Sequence, residues 1–424
     1  MLRFPTYLLI FFVFALHAQA TWQPLNILSN GNNQRFDDVF FLNETTGWAA
    51  NGFFAAVYKT TDGGTTWVEQ LNEANLAGNY YFRNIEFLNE NIGFLGTLNN
   101  DVFKTVDGGE NWTVINNISP NPAAICGLEA VGTSTVYGCG AYFSPAYIIK
   151  STDSGATWTH TDMTAHANAL VELNFLTEDI GFAAGRSDNG GTILKTTNGG
   201  ASWTEIFNSN IAGEYVWKLQ VLESNTNVMF GSVTAVSPNM GKLIKSIDGG
   251  VTWTSFDAPE TDIQAVGFIN ENRGWMGGFT TGFYETNNGG QTWTNINVGN
   301  NLNRIFIINS ALAYAGGTSL YKFSEETLST NTLPDAARNP LNVILKNNPV
   351  KSTLEFDVEF LDDDNILIEL YDIHGKFIKQ LIRDRTEFKA TKTYSFSVEN
   401  LQSGSYLINL HNNTGRQSHK FIKL

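Results

Sequence analysis

Two sets of polar residues are the first candidates for chemistry in this chain. One set recurs in near-identical segments and comprises Asp62, Asp107, Asp153, Asn198, Asp248 and Asn288. The other is an adjacent pair, Asp37 and Asp38. Two carboxyl groups about 5–10 Å apart can hydrolyse a glycosidic bond. Neighbouring residues of a strand point to opposite faces, however, so Asp37 and Asp38 do not form such a pair. No nucleophile elbow, phosphate loop or zinc motif accompanies them.

The recurring residues lie in a repeated segment, first seen as KTTDGGTTW at Lys59–Trp67. Five further copies end 40 to 50 residues apart, at Trp112, Trp158, Trp203, Trp253 and Trp293. Asp and Asn bond their own backbone two residues on, and Gly supplies a positive φ between β-prone flanks. Each copy is therefore predicted to be a hairpin, called here an Asp/Asn-Gly hairpin, and its Asp or Asn a turn former.

These hairpins resemble the Asp-box, or BNR, repeat of β-propellers, which includes sialidases and sortilin-like receptors. Together with the Gly-Trp-Ala segment at Gly47, they most resemble the propellers of the photosystem II assembly-factor family. The resemblance covers roughly Thr21 to Phe323. It implies the propeller fold and places the hairpins at outer edges, remote from the binding face. It does not imply a photosynthetic role.

A second pattern precedes each hairpin and completes the repeat. It reads IEFLNENIGFLG at Ile85–Gly96, an apolar strand, a polar turn and a Gly-aromatic-small strand. Four strands per period of about 45 residues indicate a propeller blade. A seventh copy at Ile305–Gly317 lacks a hairpin, while Trp22 stands on period before Trp67. The sequence therefore predicts an all-β chain whose residues 21–324 form a seven-bladed ring, closed by the N-terminal strand, with Trp22 equivalent to the hairpin tryptophans.

The composition favours a secreted turn-rich protein. Residues 1–20 combine Arg3, an apolar run and Ala18-Gln19-Ala20, which predicts a signal peptide. Residues 21–337 hold 30 acidic against 13 basic residues, and this balance argues against nucleic acid as a partner. No other stretch predicts a transmembrane segment. We expect no metal and no cofactor, since no ligand-spaced cluster occurs, and a disulfide between Cys126 and Cys139 across one hairpin.

The last part of the chain differs in composition. Residues 325–338 are polar and read as a linker, and residues 339–424 alternate as short strands of a small, immunoglobulin-like β-sandwich. This segment resembles the type A C-terminal sorting domain of the type IX secretion system of Bacteroidota, in Asn348-Pro349-Val350, Leu370–Lys376, Leu401–Tyr406 and Lys420–Leu424. The resemblance implies export from the periplasm, the secretion machinery and a surface sortase as partners of residues 339–424, and a secreted or surface-attached mature protein.

A ligand would sit on one face of the ring. The blade connections and second-to-third-strand loops share one face, called the loop face, and the Asp/Asn-Gly hairpins lie on the other, called the hairpin face. Loops carry function on rigid scaffolds, and these are rich in aromatic residues. The residues predicted for this face are Arg35, Asp37, Tyr80, Tyr81, Arg83, Tyr142, Phe143, Tyr215, Trp217 and Arg304. The aromatic residues could equally cover apolar blade edges.

Two functions remain open. Sialidase chemistry needs three arginines at one site; residues 21–337 hold only five arginines, and Arg35, Arg83 and Arg304 do not share a repeat position. We therefore favour a non-catalytic secreted or surface propeller that binds a glycan, a peptide or a surface protein. The alternative is a polysaccharide-active glycoside hydrolase of the Asp-box propeller type, with its acid and base in loops. Two carboxyls facing each other on the loop face would favour the enzyme.

Overall fold

The computed structural model describes residues 21–25, 27, 34–76, 78–140, 142, 143, 145–324, 342–360, 364–372, 377–386, 390–411 and 416–424. The predicted signal peptide and linker lie outside these residues. The chain divides into two compact units, Met1–Glu325 and Glu326–Leu424. No helix among the described residues is long and apolar enough to cross a membrane.

The first unit consists of four-stranded antiparallel sheets, seven among its described residues. In the first three sheets the strands are β2 (Phe36–Phe41), β3 (Gly47–Asn51), β4 (Ala56–Thr60), β5 (Val68–Leu71), β6 (Phe82–Phe87), β7 (Gly93–Thr97), β8 (Val102–Thr105), β9 (Thr113–Val114), β10 (Gly127–Val131), β11 (Thr135–Gly140), β12 (Tyr147–Ser151) and β13 (Thr159–Asp162). A 3₁₀ helix at Glu73–Asn75 follows β5.

The next three sheets comprise β14 (Ala169–Phe175), β15 (Gly181–Ser187), β16 (Gly190–Thr196), β17 (Thr204–Asn208), β18 (Tyr215–Val221), β19 (Met229–Thr234), β20 (Lys242–Ser246), β21 (Thr254–Asp257), β22 (Ile263–Phe268), β23 (Gly274–Gly278), β24 (Tyr284–Thr286) and β25 (Thr294–Asn295). The remaining sheet joins both ends of the unit and contains β1 (Thr21–Pro24), β26 (Arg304–Asn309), β27 (Leu312–Gly316) and β28 (Leu320–Ser324).

The sheets close into a ring through their inner strands. Each of β2, β6, β10, β14, β18, β22 and β26 contacts the next, and β26 contacts β2. The outer edge of the closing sheet is β1, which pairs antiparallel with β28 and sets Trp22 opposite Phe323. The predicted all-β propeller is thereby confirmed, and the free edge of β28 is covered, as a closed barrel or propeller requires.

Trp22 stands at the register position of the hairpin tryptophans, because Gln23 pairs with Lys322 as Val68 pairs with Lys59. It lies inside β1, is fully buried, and stacks on Phe283 of the neighbouring sheet at a ring-centroid distance of 4.2 Å. The tryptophans that end the hairpins instead meet a phenylalanine roughly edge-on, as Trp67 meets Phe41 at 6.1 Å. Trp22 therefore shares the position of the hairpin tryptophans but is buried more deeply, in the apolar interface between two sheets.

Each Asp/Asn-Gly hairpin is fixed by hydrogen bonds to its acidic or amide side chain. Asp62 Oδ1 accepts from the Thr60 hydroxyl and the Thr66 amide, both at 2.9 Å, and Oδ2 accepts from the Thr66 hydroxyl at 2.6 Å. The equivalent contacts recur at Asp107, Asp153, Asn198, Asp248 and Asn288. These side chains thus act as turn formers.

The first glycine of a hairpin also joins neighbouring sheets, which sequence reasoning did not foresee. The Gly63 carbonyl accepts hydrogen bonds from the Tyr314 hydroxyl at 2.8 Å and from Lys322 Nζ at 2.9 Å, both in the preceding sheet of the ring. The same arrangement links Trp48 and Lys59 to Gly108, and Tyr137 and Lys150 to Gly199. In these three sheets the lysine at this position therefore stabilises the interface with the next sheet.

One hairpin replaces this lysine with Glu285, and the structure explains the change. The sheet that follows it has no Asp/Asn-Gly hairpin, so no glycine carbonyl is present there to accept from a lysine. Arg273 instead pairs with Glu285 at 2.8 Å and lies over the Trp275 ring at 5.4 Å. Trp22 contacts the same Trp275 at 5.5 Å. The apolar interface thus stands in for the glycine contact.

The acidic hairpins should make stability depend on pH. Hydrogen bonds from the Asn111 side chain and backbone and from Thr105 lower the pKa of Asp107 from 3.8 to about 2. Because the folded pKa is depressed, the contribution to stability is present above about pH 4 and lost as pH falls through about 2. We expect Asp107→Asn, which copies Asn198, to reduce the pH dependence of the free energy of unfolding over this range. Urea unfolding at several pH values measures it, and an unchanged dependence would refute the assignment.

The second unit is a two-sheet sandwich. Its strands are β29 (Asn342–Leu345), β30 (Thr353–Phe360), β31 (Asp364–Asp372), β32 (Phe377–Thr386), β33 (Ala390–Ser397), β34 (Gly404–His411) and β35 (Arg416–Lys423), in orders β29-β30-β33 and β32-β31-β34-β35. Phe356 of one sheet and Ile368 and Ile408 of the other share one buried core. The Leu424 amide donates to the Val350 carbonyl at 2.8 Å, so the last residues belong to this sandwich.

Candidate functional site

The inner strands share a β-bulge near the loop face. In five of them the register shifts by one residue, which leaves Asp37, Arg83, Val171, Trp217 and Gln264 without a direct partner. Cys126 and Asn303 stand at the same position, just before β10 and β26. A bulge re-aims the side chain of its extra residue. The repeat alignment that placed these residues around one end of the channel therefore corresponds to a shared backbone feature.

Asp37 holds two arginines at the centre of this ring. Its Oδ1 pairs with Arg35 Nη2 and with Arg83 Nη1, each at 2.7 Å, and its side chain is fully buried. Arg35 Nη1 also donates to Gln264 Oε1 at 2.7 Å, which links the first sheet to the sixth. Two guanidinium groups share one carboxylate. This set of side chains, called here the Arg35–Asp37–Arg83 ring, therefore keeps one unmatched positive charge. Asp37 is committed to ion pairing and is not placed to act as an acid or base.

A row of aromatic side chains leads outward from this ring. Arg83 lies 5.5 Å from the centre of the Trp217 ring, and Trp217 meets Tyr215 edge-on at 5.8 Å. The Tyr215 hydroxyl donates to the backbone carbonyl of Tyr142, which contacts Phe143 at 4.8 Å. Tyr142 and Phe143 are 45% and 42% exposed. These four aromatic residues, called the aromatic row, connect the charged ring to the outer loops.

Three other predicted residues have different places. Tyr81 lies against Asp37, and burial, reinforced by that charge, raises the pKa of Tyr81 to about 12. Tyr80 donates to Asp101 at 2.8 Å and packs on Phe103, so it supports the loop of the second sheet. Arg304 was predicted for the loop face but does not join Arg35, Asp37 and Arg83 there. It lies deeper in the channel and pairs with Glu172 at 2.6 Å, because it follows the bulge position by one residue.

The predicted disulfide is also corrected, since both cysteines are free and buried. Gly127, not Cys126, is the register partner of Cys139. Cys126 stands at the bulge position, whereas Cys139 packs into the apolar cluster around Tyr137 and Leu170. Burial raises the pKa of both thiols, that of Cys139 most strongly. The two cysteines therefore occupy non-equivalent register positions of the third sheet.

Sequence reasoning missed a charged layer within the channel and a cavity below it. Glu172 pairs with Lys218 and Arg304, at 2.5 and 2.6 Å, one position after the bulge. A cavity of about 430 Å³ extends from this layer to the first-to-second-strand turns of the hairpin face, reaching Glu86 and Glu129. Aligning the inner strands two residues beyond this layer would have brought these two glutamates together. The described residues contain no cluster of three potential metal ligands.

Comparison with known proteins supports both resemblances. Residues 348–424 match the family Secretion system C-terminal sorting domain, and residues 15–144 match the family Photosynthesis system II assembly factor YCF48. A search of curated proteins gave no match.

Solved structures show the same fold. YCF48 from Cyanidioschyzon merolae is 20% identical, with a TM-score of 0.57 over 73% of this chain and all of its own. A structure of YCF48 bound to D1 peptide is 19% identical, with a TM-score of 0.55 over 72% of this chain and 96% of its own.

A structure of PorZ, described as a surface component of the type-IX secretion system of Porphyromonas gingivalis, is similar over 95% of this chain and 61% of its own, at 14% identity and a TM-score of 0.52. These likenesses establish the fold, and the sorting domain indicates a secreted or outer-surface location. The chain is thus a propeller similar to YCF48 that continues into a secretion-system C-terminal sorting domain at residues 348–424.

Proposed function

We propose that the protein leaves the cell through a type IX secretion system and binds a ligand with the loop face of its propeller, without catalysis. The observation that carries this proposal is the aromatic row. It runs from exposed Tyr142 and Phe143 to half-buried Trp217 and the Arg35–Asp37–Arg83 ring. Exposed aromatic anchors that lead to a desolvated charged centre are typical of ligand-binding surfaces.

The chemistry of this surface favours a chain-like ligand with an anionic group. Aromatic faces stack on the planar or apolar faces of peptides and sugars, while the unmatched guanidinium charge of the ring suits a carboxylate. One propeller of the same fold has been solved with a peptide bound. We therefore rank an acidic peptide first and a carboxylated glycan second.

The environments of two carboxyl groups on the loop face support binding over catalysis. A glycoside hydrolase needs two carboxyls facing each other across the substrate. Asp37 is held by two arginines, and Glu260 accepts hydrogen bonds from the Thr280 amide and hydroxyl, at 2.7 Å for the hydroxyl. Both groups are occupied in supporting the surface, which leaves them poorly placed as acid or base.

Arrays of peptides and glycans probed with the full chain test this proposal. Tyr142→Ala combined with Phe143→Ala removes the exposed end of the row and should weaken binding of the best ligand at least about tenfold. Phe279→Ala, also exposed at 55% but outside the row, is the matched control and should bind normally. Equal binding by the double variant, or hydrolysis of an array glycan by the wild type, would contradict the proposal.

A further inference from the structure

The cavity at the hairpin face is separate from the loop face. None of Arg35, Asp37 and Arg83 lines it, and its inner end is the layer of Glu172, Lys218 and Arg304. Its volume of about 430 Å³ falls within the range of small-molecule sites. At the level that Glu86 and Glu129 occupy in the second and third sheets, the sixth sheet contributes Gly267, against which Ile305 of the next sheet packs.

Charge is unbalanced around this cavity. The cations in its wall are Lys218 and Arg304, and both pair with Glu172. Arg304 also faces Asp38, with Nε 3.5 Å from Oδ1. Glu86 and Glu129 make no ion pair with any residue that the structure describes. Glu86 is only 8% exposed, and a buried carboxylate without a counter-ion is costly. The cavity thus presents two acidic groups that the protein itself does not neutralise.

The glutamates accept little from the protein. Glu129 accepts one hydrogen bond, from the Phe175 amide at 3.2 Å, and Glu86 accepts one from the Ala130 backbone. The remaining wall combines apolar residues, among them Phe40, Phe306 and Ile269, with polar ones such as Asn174, Gln220 and the exposed Glu223. A ligand that fits must therefore combine a positive end for the carboxyls with an apolar stem for the wall.

We propose that this cavity binds an alkylammonium group, with Glu86 and Glu129 as its counter-ions and Phe40 and Phe306 against its methylene stem. Phe40 and Phe306 meet edge-on at 5.5 Å and form one continuous apolar surface beside the glutamates. An ammonium group offers three donors, enough to bridge two carboxyls, and its flexible stem enters a narrow channel more readily than a rigid ring. Free amines and lysine side chains share this chemistry.

The pKa values of the two glutamates agree with this assignment. Burial raises the pKa of Glu129 to about 8, and burial together with the Glu129 charge raises that of Glu86. The Asp38 charge raises the pKa of both glutamates, and the Glu172 charge raises that of Glu129. The Arg304 charge lowers the pKa of both. Lys218 is the other cation facing the cavity. The Glu129 carboxyl therefore holds its proton near pH 7, and an ammonium ion must displace it.

Binding of pentylamine to the full chain, measured by calorimetry, tests the proposal. We expect saturable binding that releases protons. Its affinity should increase as the pH rises towards 8, by up to about tenfold per pH unit for each proton displaced. Pentanol, which has the same stem without the charge, should bind at least tenfold more weakly. A blocked Gly-Lys-Gly peptide forms a second arm, and its binding would identify a lysine side chain as an acceptable source of the ammonium group.

The variant Glu86→Gln/Glu129→Gln should lose at least tenfold in affinity for pentylamine. It should also melt no lower than the wild type, because it replaces two desolvated carboxyls with neutral groups of the same shape. Ser310→Ala, in the mouth of the same cavity, is the control and should bind as the wild type does. Absence of binding in both arms, or equal binding by the double glutamine variant, would overturn the proposal.

Discussion

Trp22→Ala is expected to lower the free energy of unfolding of the propeller by about 3–5 kcal/mol, the usual cost of emptying a fully buried tryptophan site. Trp22 is 0% exposed and contacts Phe283, Trp275 and Phe323, which belong to two different sheets. It is also the buried side chain of the strand that closes the ring. Urea unfolding followed by tryptophan fluorescence and circular dichroism measures the loss.

Trp293→Ala is the matched control, because this tryptophan ends a hairpin and remains partly exposed. It meets one phenylalanine, Phe268, edge-on at 6.4 Å, so its replacement should cost roughly 1–2 kcal/mol. If the two variants were equally stable, the closure of the ring by β1 would not depend on Trp22. The interpretation of Trp22 as an interface residue would then be wrong.

Deletion of Lys420–Leu424 is expected to abolish export in a host with a type IX secretion system, and the protein should accumulate in the periplasm. The deletion removes Phe421 from the core of the sandwich and breaks the hydrogen bond from Leu424 to Val350. The propeller should keep its own melting temperature, because it forms a separate compact unit. Cell fractionation and calorimetry of the purified protein measure the two effects.

Ile344→Ser provides the control for this deletion. Ile344 lies in the same sandwich and is 57% exposed, so the substitution should leave both the fold and export unchanged. Normal surface display of the truncated chain would contradict the role assigned to residues 339–424. A propeller that unfolds on truncation would instead contradict the independence of the two units.

Much of the fold could be predicted because its signals are local and repeated. The Asp or Asn turn residue with its flanking Ser or Thr residues fixes a hairpin wherever it occurs, as the recurring bonds at Asp62 and Asp153 show. Contacts between sheets were not predictable in the same way. The carbonyl of Gly63 receives Tyr314 and Lys322 from about 250 residues away, and no local pattern encodes that pairing.

Part of the candidate site could be predicted because its signal also recurs in the repeats. Aligning the repeats found the bulge residues Asp37, Arg83 and Trp217, since a bulge recurs at a fixed place in the inner strands. It misplaced Arg304, because one step along a strand moves a side chain from the ring into the channel. It also gave no weight to Glu86 and Glu129, whose positions matter only once the sheets close around them.

The central claim is that the propeller acts outside the cell while the sandwich serves only as its export signal. Mass spectrometry of the protein released from the surface of intact cells by mild protease treatment tests it most directly. We predict propeller peptides between residues 21 and 324, and none from residues 339–424 in the mature surface form. Recovery of surface protein that still contains Leu424, or of the full chain only in the periplasm, would contradict the account.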